Sequence, residues 1–82
     1  MRIAVCPGTF DPVTLGHLDI ITRTTQLFDW VYVAILKNPS KVTLFDKYER
    51  LEMLRDAVAH LPRVSCELFD GLVVNYARQR SA

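Results

Sequence analysis

No run of apolar residues in this chain is longer than the seven from Trp30 to Leu36, against the roughly 20 that a membrane-spanning helix needs. Met1-Arg2 leads into a strand interrupted at Pro7, too short for the apolar region of a secretory signal, so a cytoplasmic protein without membrane partners is expected. Cysteine is scarce. Cys6 and Cys66 stand 60 positions apart with no further ligand at metal-binding spacing, which speaks against a zinc site and for buried free thiols. A surplus of one charge is also missing: 10 Lys and Arg face 9 Asp and Glu, for a formal net charge of +1. With the cations scattered among acids there is no basic stripe, and nucleic acid is not an expected partner. Repeats, low-complexity tracts and linkers are absent as well.

What remains is a globular composition, 50% apolar and 23% charged over 82 residues. A chain of that length makes one small domain, residues 1–82, with a core near the lower limit of self-sufficiency. Its periodicities alternate. Arg2 to Cys6 reads as a first strand, apolar throughout its interior as in a parallel sheet covered on both faces, and ends at Pro7-Gly8. From Leu15 or Gly16 to Phe28 the apolar residues Leu18, Ile21 and Phe28, with Thr25, recur at three and four, and Ile20, Thr24 and Leu27 widen the stripe of a first helix. Thr14 is its expected cap, and Asp19 is placed in its first turn, facing the helix dipole.

Trp30 to Leu36 reads as the second strand, with Trp30 and Tyr32 as core residues. Lys37 to Phe45 reads as a loop, and Asp46 with Glu49 has capping-box spacing for a second helix stopped by Pro62. Leu51, Leu54, Val58 and Leu61 supply its buried face; His60 closes it, and Glu49-Arg50 reads as an exposed pair. Val64 to Phe69 is the third strand and Leu72 to Arg80 a short helix. The order β-α-β-α-β-α, with right-handed crossovers, gives an α/β class: a Rossmann-like parallel sheet forming half of a doubly wound domain. In that order the first strand is central, and its second neighbour would have to come from polypeptide beyond residue 82 or from another copy.

Chemistry concentrates between the first strand and the first helix. The stretch Gly8-Thr9-Phe10-Asp11-Pro12 followed by Thr14-Leu15-Gly16-His17 is a strand–loop–helix with glycines on both sides of a phosphate-sized gap, where unpaired N–H groups and the helix dipole favour an anion. These residues resemble the fingerprint of the nucleotidylyltransferase superfamily. Thr14, where most branches carry histidine, makes the stretch similar to the phosphopantetheine adenylyltransferase family, and the similarity continues through Asn38-Pro39-Ser40-Lys41, Phe45, Glu49-Arg50 and Gly71 to Val74.

The resemblance implies adenylyl transfer from ATP, carried with Mg²⁺, to 4'-phosphopantetheine, releasing pyrophosphate and forming dephospho-coenzyme A. By the same resemblance His17 is the transition-state stabiliser, Thr9, Phe10 and His17 face ATP, and Thr9, Lys41 and the Val73 backbone hold phosphopantetheine. Asp11 and Pro12 are expected to fix the loop. The family's second half, with its arginine-containing and serine-rich phosphate segments, has no counterpart among these 82 residues. The resemblance also implies a homo-oligomer, a hexamer in the whole enzyme. The alternative is a non-catalytic half-sheet that associates through its open edge and keeps only partial substrate binding.

Overall fold

The computed structural model describes residues 1–36 and 42–82. Three strands, β1 (Ile3–Gly8), β2 (Trp30–Leu36) and β3 (Val64–Phe69), alternate with helices α1 (Leu15–Leu27), α2 (Lys47–Val58) and α3 (Val73–Gln79). The strands form one parallel sheet in the order β1-β2-β3. This is the α/β, Rossmann-like arrangement expected from the sequence. Ile3 pairs with Trp30 and Gly8 with Ile35, while Val31 pairs with Val64 and Leu36 with Phe69.

β1 runs on through Pro7 and Gly8, two residues past its expected end. Proline brings no N–H to a ladder, and strands tolerate it at a sheet edge; among the described residues β1 pairs only with β2. The register puts Cys6 and Cys66 opposite the same residue, Val33. A full strand therefore lies between them, and both are free thiols. Burial pushes both thiols up, opposed at Cys6 by its hydrogen bond to Thr24 and at Cys66 by the Arg55 charge.

One face of the sheet carries the core. Val31, Val33 and Ile35 of β2 meet Cys66 of β3, Ile21 of α1 and Leu54 and Val58 of α2, and Phe10 joins them from the β1–α1 loop. The α1 stripe is narrower than expected: Ile21 and Thr25 are buried, whereas Ile20 and Leu27 are 60% and 65% exposed. Ile20 lies on the side of α1 that overhangs the free edge of β1. Thr25 enters the core because its hydroxyl donates to the Thr22 carbonyl at 2.6 Å. Asp19 is in the second turn, not the first, and pairs with Arg23 at 3.1 Å.

α2 begins as its sequence requires. The Asp46 carboxylate accepts the Tyr48 and Glu49 N–H groups, and Glu49 closes the capping box; these bonds, that of the Glu49 N–H foremost, hold Asp46 below the usual carboxylate range. The helix ends at Val58, four residues before Pro62, because Ala59 and Leu61 turn back onto Asp56 and Val58. His60 therefore lies outside it. Its buried stripe is Arg50, Leu54 and Val58, with Leu51 and Leu61 half-buried.

The other sheet face is covered by α3. Tyr76, 1% exposed, meets Phe69 and Tyr32 edge-on. Its hydroxyl donates to Glu67 at 3.0 Å, and Arg80 pairs with the same carboxylate. Burial pushes the Tyr76 phenol up to about 12, Glu67 adding to the rise and Arg80 opposing it. The folded state thus keeps a proton that the unfolded chain releases near pH 10. Stability held below about pH 10 is expected to drain away as pH rises toward 12. Denaturant unfolding across this range should show that loss in the parent chain and a flatter response in Tyr76→Phe. Among the described residues no helix is long and apolar enough to cross a membrane.

Candidate active site

The β1–α1 loop is fixed at four points. Phe10 is the first: its ring is 4% exposed, and its backbone adopts φ 50°, a left-handed conformation that side chains seldom take. Burial of the ring offsets that strain. The same ring explains Gly8, since a Cβ there would stand 2.9 Å from Phe10 Cε2. Gly16 differs. Among the described residues a Cβ at that position would meet only Thr14 Oγ1, at 3.7 Å, which leaves space above the first turn of α1.

Asp11 is the second anchor, and it fixes the loop as its motif suggests. Its carboxylate accepts the N–H of Leu44 at 2.5 Å and of Phe45 at 2.9 Å, which ties the segment before α2 to the β1 exit. The third is Arg50, whose Nη1 donates to the Thr9 carbonyl at 3.0 Å across 41 positions. Arg50 is 6% exposed. Reading it as half of an exposed pair with Glu49 is therefore corrected: Glu49 serves the Asp46 cap, and Arg50 points into the fold. Spacing did hold a signal, because Arg50, Leu54 and Val58 follow one another at four residues on the buried stripe.

His17 is the fourth. It occupies the third position of α1, where a capping box ordinarily has Glu or Gln. Its Nδ1 accepts the Thr14 N–H at 2.9 Å, and the Thr14 hydroxyl accepts the His17 N–H at 3.3 Å. An Nδ1 that accepts assigns the proton of the neutral ring to Nε2. The ring packs edge-on against Phe10, centroids 4.8 Å apart. A fixed N–H donor thus stands at a helix N-terminus whose partial charge is already positive. His17 and Phe10 also line a groove of about 530 Å³ running along the free edge of β1.

Thr9 and Phe10 in the β1–α1 loop and His17 in the first turn of α1 accordingly stand at the carboxyl end of the sheet. Thr9 is half-buried, and among the described residues no hydrogen bond engages its hydroxyl. Val73 opens α3 beyond β3, at the same end of the sheet and 39% exposed beside the more exposed Leu72 and Val74. At the ends of β2 and β3 a cavity of about 160 Å³ is walled by Leu36, Lys47, Arg50, Leu68 and Asp70 among others; none of Thr9, Phe10, His17 and Val73 lines it. Arg50 links it to the loop. Lys47 is the first residue of α2. Lys41 lies outside the described residues, as does Lys37. No group of three or more His, Cys, Asp or Glu converges as metal ligands among the described residues.

A family model described as cytidylyltransferase-like matches residues 5–82. Phosphopantetheine adenylyltransferase of Nostoc sp. strain PCC 7120 is 62% identical over 80 residues, 98% of this chain and 42% of the relative. The enzyme of that name from Symbiobacterium thermophilum is 62% identical over 77 residues, 94% of this chain and 48% of the relative. The chain spans about half the length of the curated relatives it matches. Among solved structures, the lipopolysaccharide core biosynthesis protein from Thermoplasma volcanium GSS1 superposes with a TM-score of 0.72 at 22% identity, over 96% of this chain and 67% of the other, a likeness of fold. With its motif on the β1–α1 loop, its parallel sheet and a match over nearly its whole length, the chain belongs to the cytidylyltransferase-like family.

Proposed function

We propose that this polypeptide takes part in adenylyl transfer from Mg²⁺-bound ATP to 4'-phosphopantetheine, giving dephospho-coenzyme A and pyrophosphate. One observation carries the reading: His17 is held by Thr14 so that its Nε2–H remains available at the head of α1, beside the space left above Gly16. The names of the relatives point the same way. Displacement at phosphorus needs two phosphates in line and donors aimed at the growing negative charge; a covalent intermediate on the protein is unnecessary.

In this proposal the phosphate of phosphopantetheine attacks the α-phosphorus of ATP, the α–β bridging bond breaks, and its electron pair leaves with pyrophosphate. His17 donates to the α-phosphate from Nε2, and Thr9 offers its hydroxyl to a phosphate oxygen shared by both substrates. Phe10 contributes its backbone N–H, Lys41 the cation for the phosphopantetheine phosphate, and Val73 a backbone contact with the pantetheine arm. The exposed apolar residues Leu72, Val73 and Val74 suit an arm of that polarity. Magnesium travels with the triphosphate and offsets its charge.

A cytoplasmic setting belongs to the same proposal, since the reaction draws on ATP. So does a homo-oligomer, hexameric by resemblance. Pyrophosphate release with ATP or CTP, each offered with phosphopantetheine, glycerol phosphate or nicotinamide mononucleotide, tests the reading. Release is expected with ATP and phosphopantetheine. A preference for any other pair would overturn it.

A further inference from the structure

We infer that Arg50 is a positioning residue for the transfer: it sets the direction of the Thr9–Phe10 peptide, so that the Phe10 N–H faces the phosphate, and supplies positive charge beneath that peptide. The inference rests on the adenylyl-transfer reading for its ligand, though not for its geometry. The peptide between Thr9 and Phe10 is trans, the only cis bond among the described residues being Asp11-Pro12. In a trans peptide the C=O and N–H vectors oppose one another. Arg50 holds the Thr9 carbonyl from α2 at 3.0 Å, so the Phe10 N–H points away from α2. Among the described residues nothing accepts that N–H.

The charge is the second observation. Arg50 is 6% exposed, and its acceptors among the described residues are neutral carbonyls, those of Thr9 and, at 3.4 Å, Asp46. No carboxylate makes an ion pair with it among the described residues, which include every Asp and Glu of the chain. Its field reaches Asp46 only as the weakest influence on that carboxyl. A buried cation with no carboxylate at ion-pair distance is costly, and an apolar side chain of the same length would pack the position without that cost. A long cation is therefore a poor choice for a purely structural strut. It suits a backbone that must be turned and an anion that arrives later, and Arg50 also forms part of the wall of the adjoining 160 Å³ cavity.

The test compares the parent with Arg50→Met, which keeps length and packing, and Arg50→Lys, which keeps charge but not the planar fork. Two readouts are followed: kcat and KM from pyrophosphate release, and the shift of the Phe10 amide proton and nitrogen signals as ATP is added. Arg50→Met is expected to lose about 10²-fold in kcat, the usual consequence of a misplaced reacting group, with a smaller change in KM. Its Phe10 amide should no longer respond to ATP, while Leu54 and Val58 signals stay in place. Arg50→Lys should fall between the two. Parent-like kcat or a parent-like Phe10 response in Arg50→Met overturns the inference, and so does a Phe10 amide that ignores ATP in the parent. If the parent releases no pyrophosphate but its Phe10 amide responds to ATP and that of Arg50→Met does not, the role of Arg50 stands and the transfer reading falls. Should Arg50→Met fail to fold, Arg50→Lys decides: a reduced response supports the inference and an unchanged one refutes it.

Discussion

His17→Ala is expected to lower the proposed adenylyl transfer by about 10² to 10³ in kcat, the range seen when one preorganised donor to a developing oxyanion is deleted. The ring is also part of the α1 cap, and that second role must be separated from the first. Alanine removes the acceptor for the Thr14 N–H but leaves the Thr14 hydroxyl to accept the N–H at position 17, so the folding cost should be about 1 kcal/mol. His17→Glu is the better control. Glutamate at this position is what α2 uses, where Asp46 and Glu49 form the same box. The variant should therefore fold as well as the parent, by thermal midpoint, yet transfer no better than alanine, because it offers a like charge where the α-phosphate needs a donor. Unimpaired turnover in either variant would remove His17 from the chemistry.

Phe10→Ala is expected to cost about 3–5 kcal/mol of stability, the range for a buried aromatic truncated to alanine. Domains hold only about 5–15 kcal/mol in all, and one of this size stands toward the low end. The ring does three things at once: it fills the core beside Ile21 and Val33, closes over Gly8, and supports the His17 ring edge-on. It also helps to hold the left-handed backbone at φ 50°. Urea unfolding should show a large fall in midpoint with little change of slope. Phe10→Leu should recover much of the loss, since shape and apolar volume count for most of it. A small effect would mean that the loop is held by Asp11, Arg50 and His17 without the ring.

How far the sequence anticipates the structure depends on whether local or tertiary physics decides. Trp30–Leu36 and Val64–Phe69 are strands with the expected limits, the first because continuous apolar β-formers leave few alternatives, the second because Val64, Cys66 and Leu68 alternate with Ser65 and Glu67. The Asp46–Glu49 cap was legible because a capping box is local chemistry. The end of α2 was not: Pro62 forbids helix, but turns at Ala59 and Leu61 close it earlier. Ile20 and Leu27 show that a stripe gives the direction of burial without the width that one sheet can cover.

At the site, the motif placed Thr9 and Phe10 in the loop after β1 and His17 in the first turn of α1 without any structure. What it could not convey is that His17 doubles as a cap or that Asp11 reaches Leu44 and Phe45, contacts spanning 33 and 34 positions. Arg50 was passed over because a charged residue four before Leu54 reads by default as solvated, whereas its partner, the Thr9 carbonyl, lies 41 positions away.

The most direct test of the phosphate-facing histidine is the ring nitrogen spectrum of His17, recorded with isotope label as ATP is added. The expected result is a saturable change at Nε2, the proton-bearing nitrogen, with Nδ1 remaining an acceptor of the Thr14 N–H. An Nε2 signal that stays fixed at saturating ATP, or a change confined to Nδ1, would contradict the placement of the α-phosphate at the head of α1.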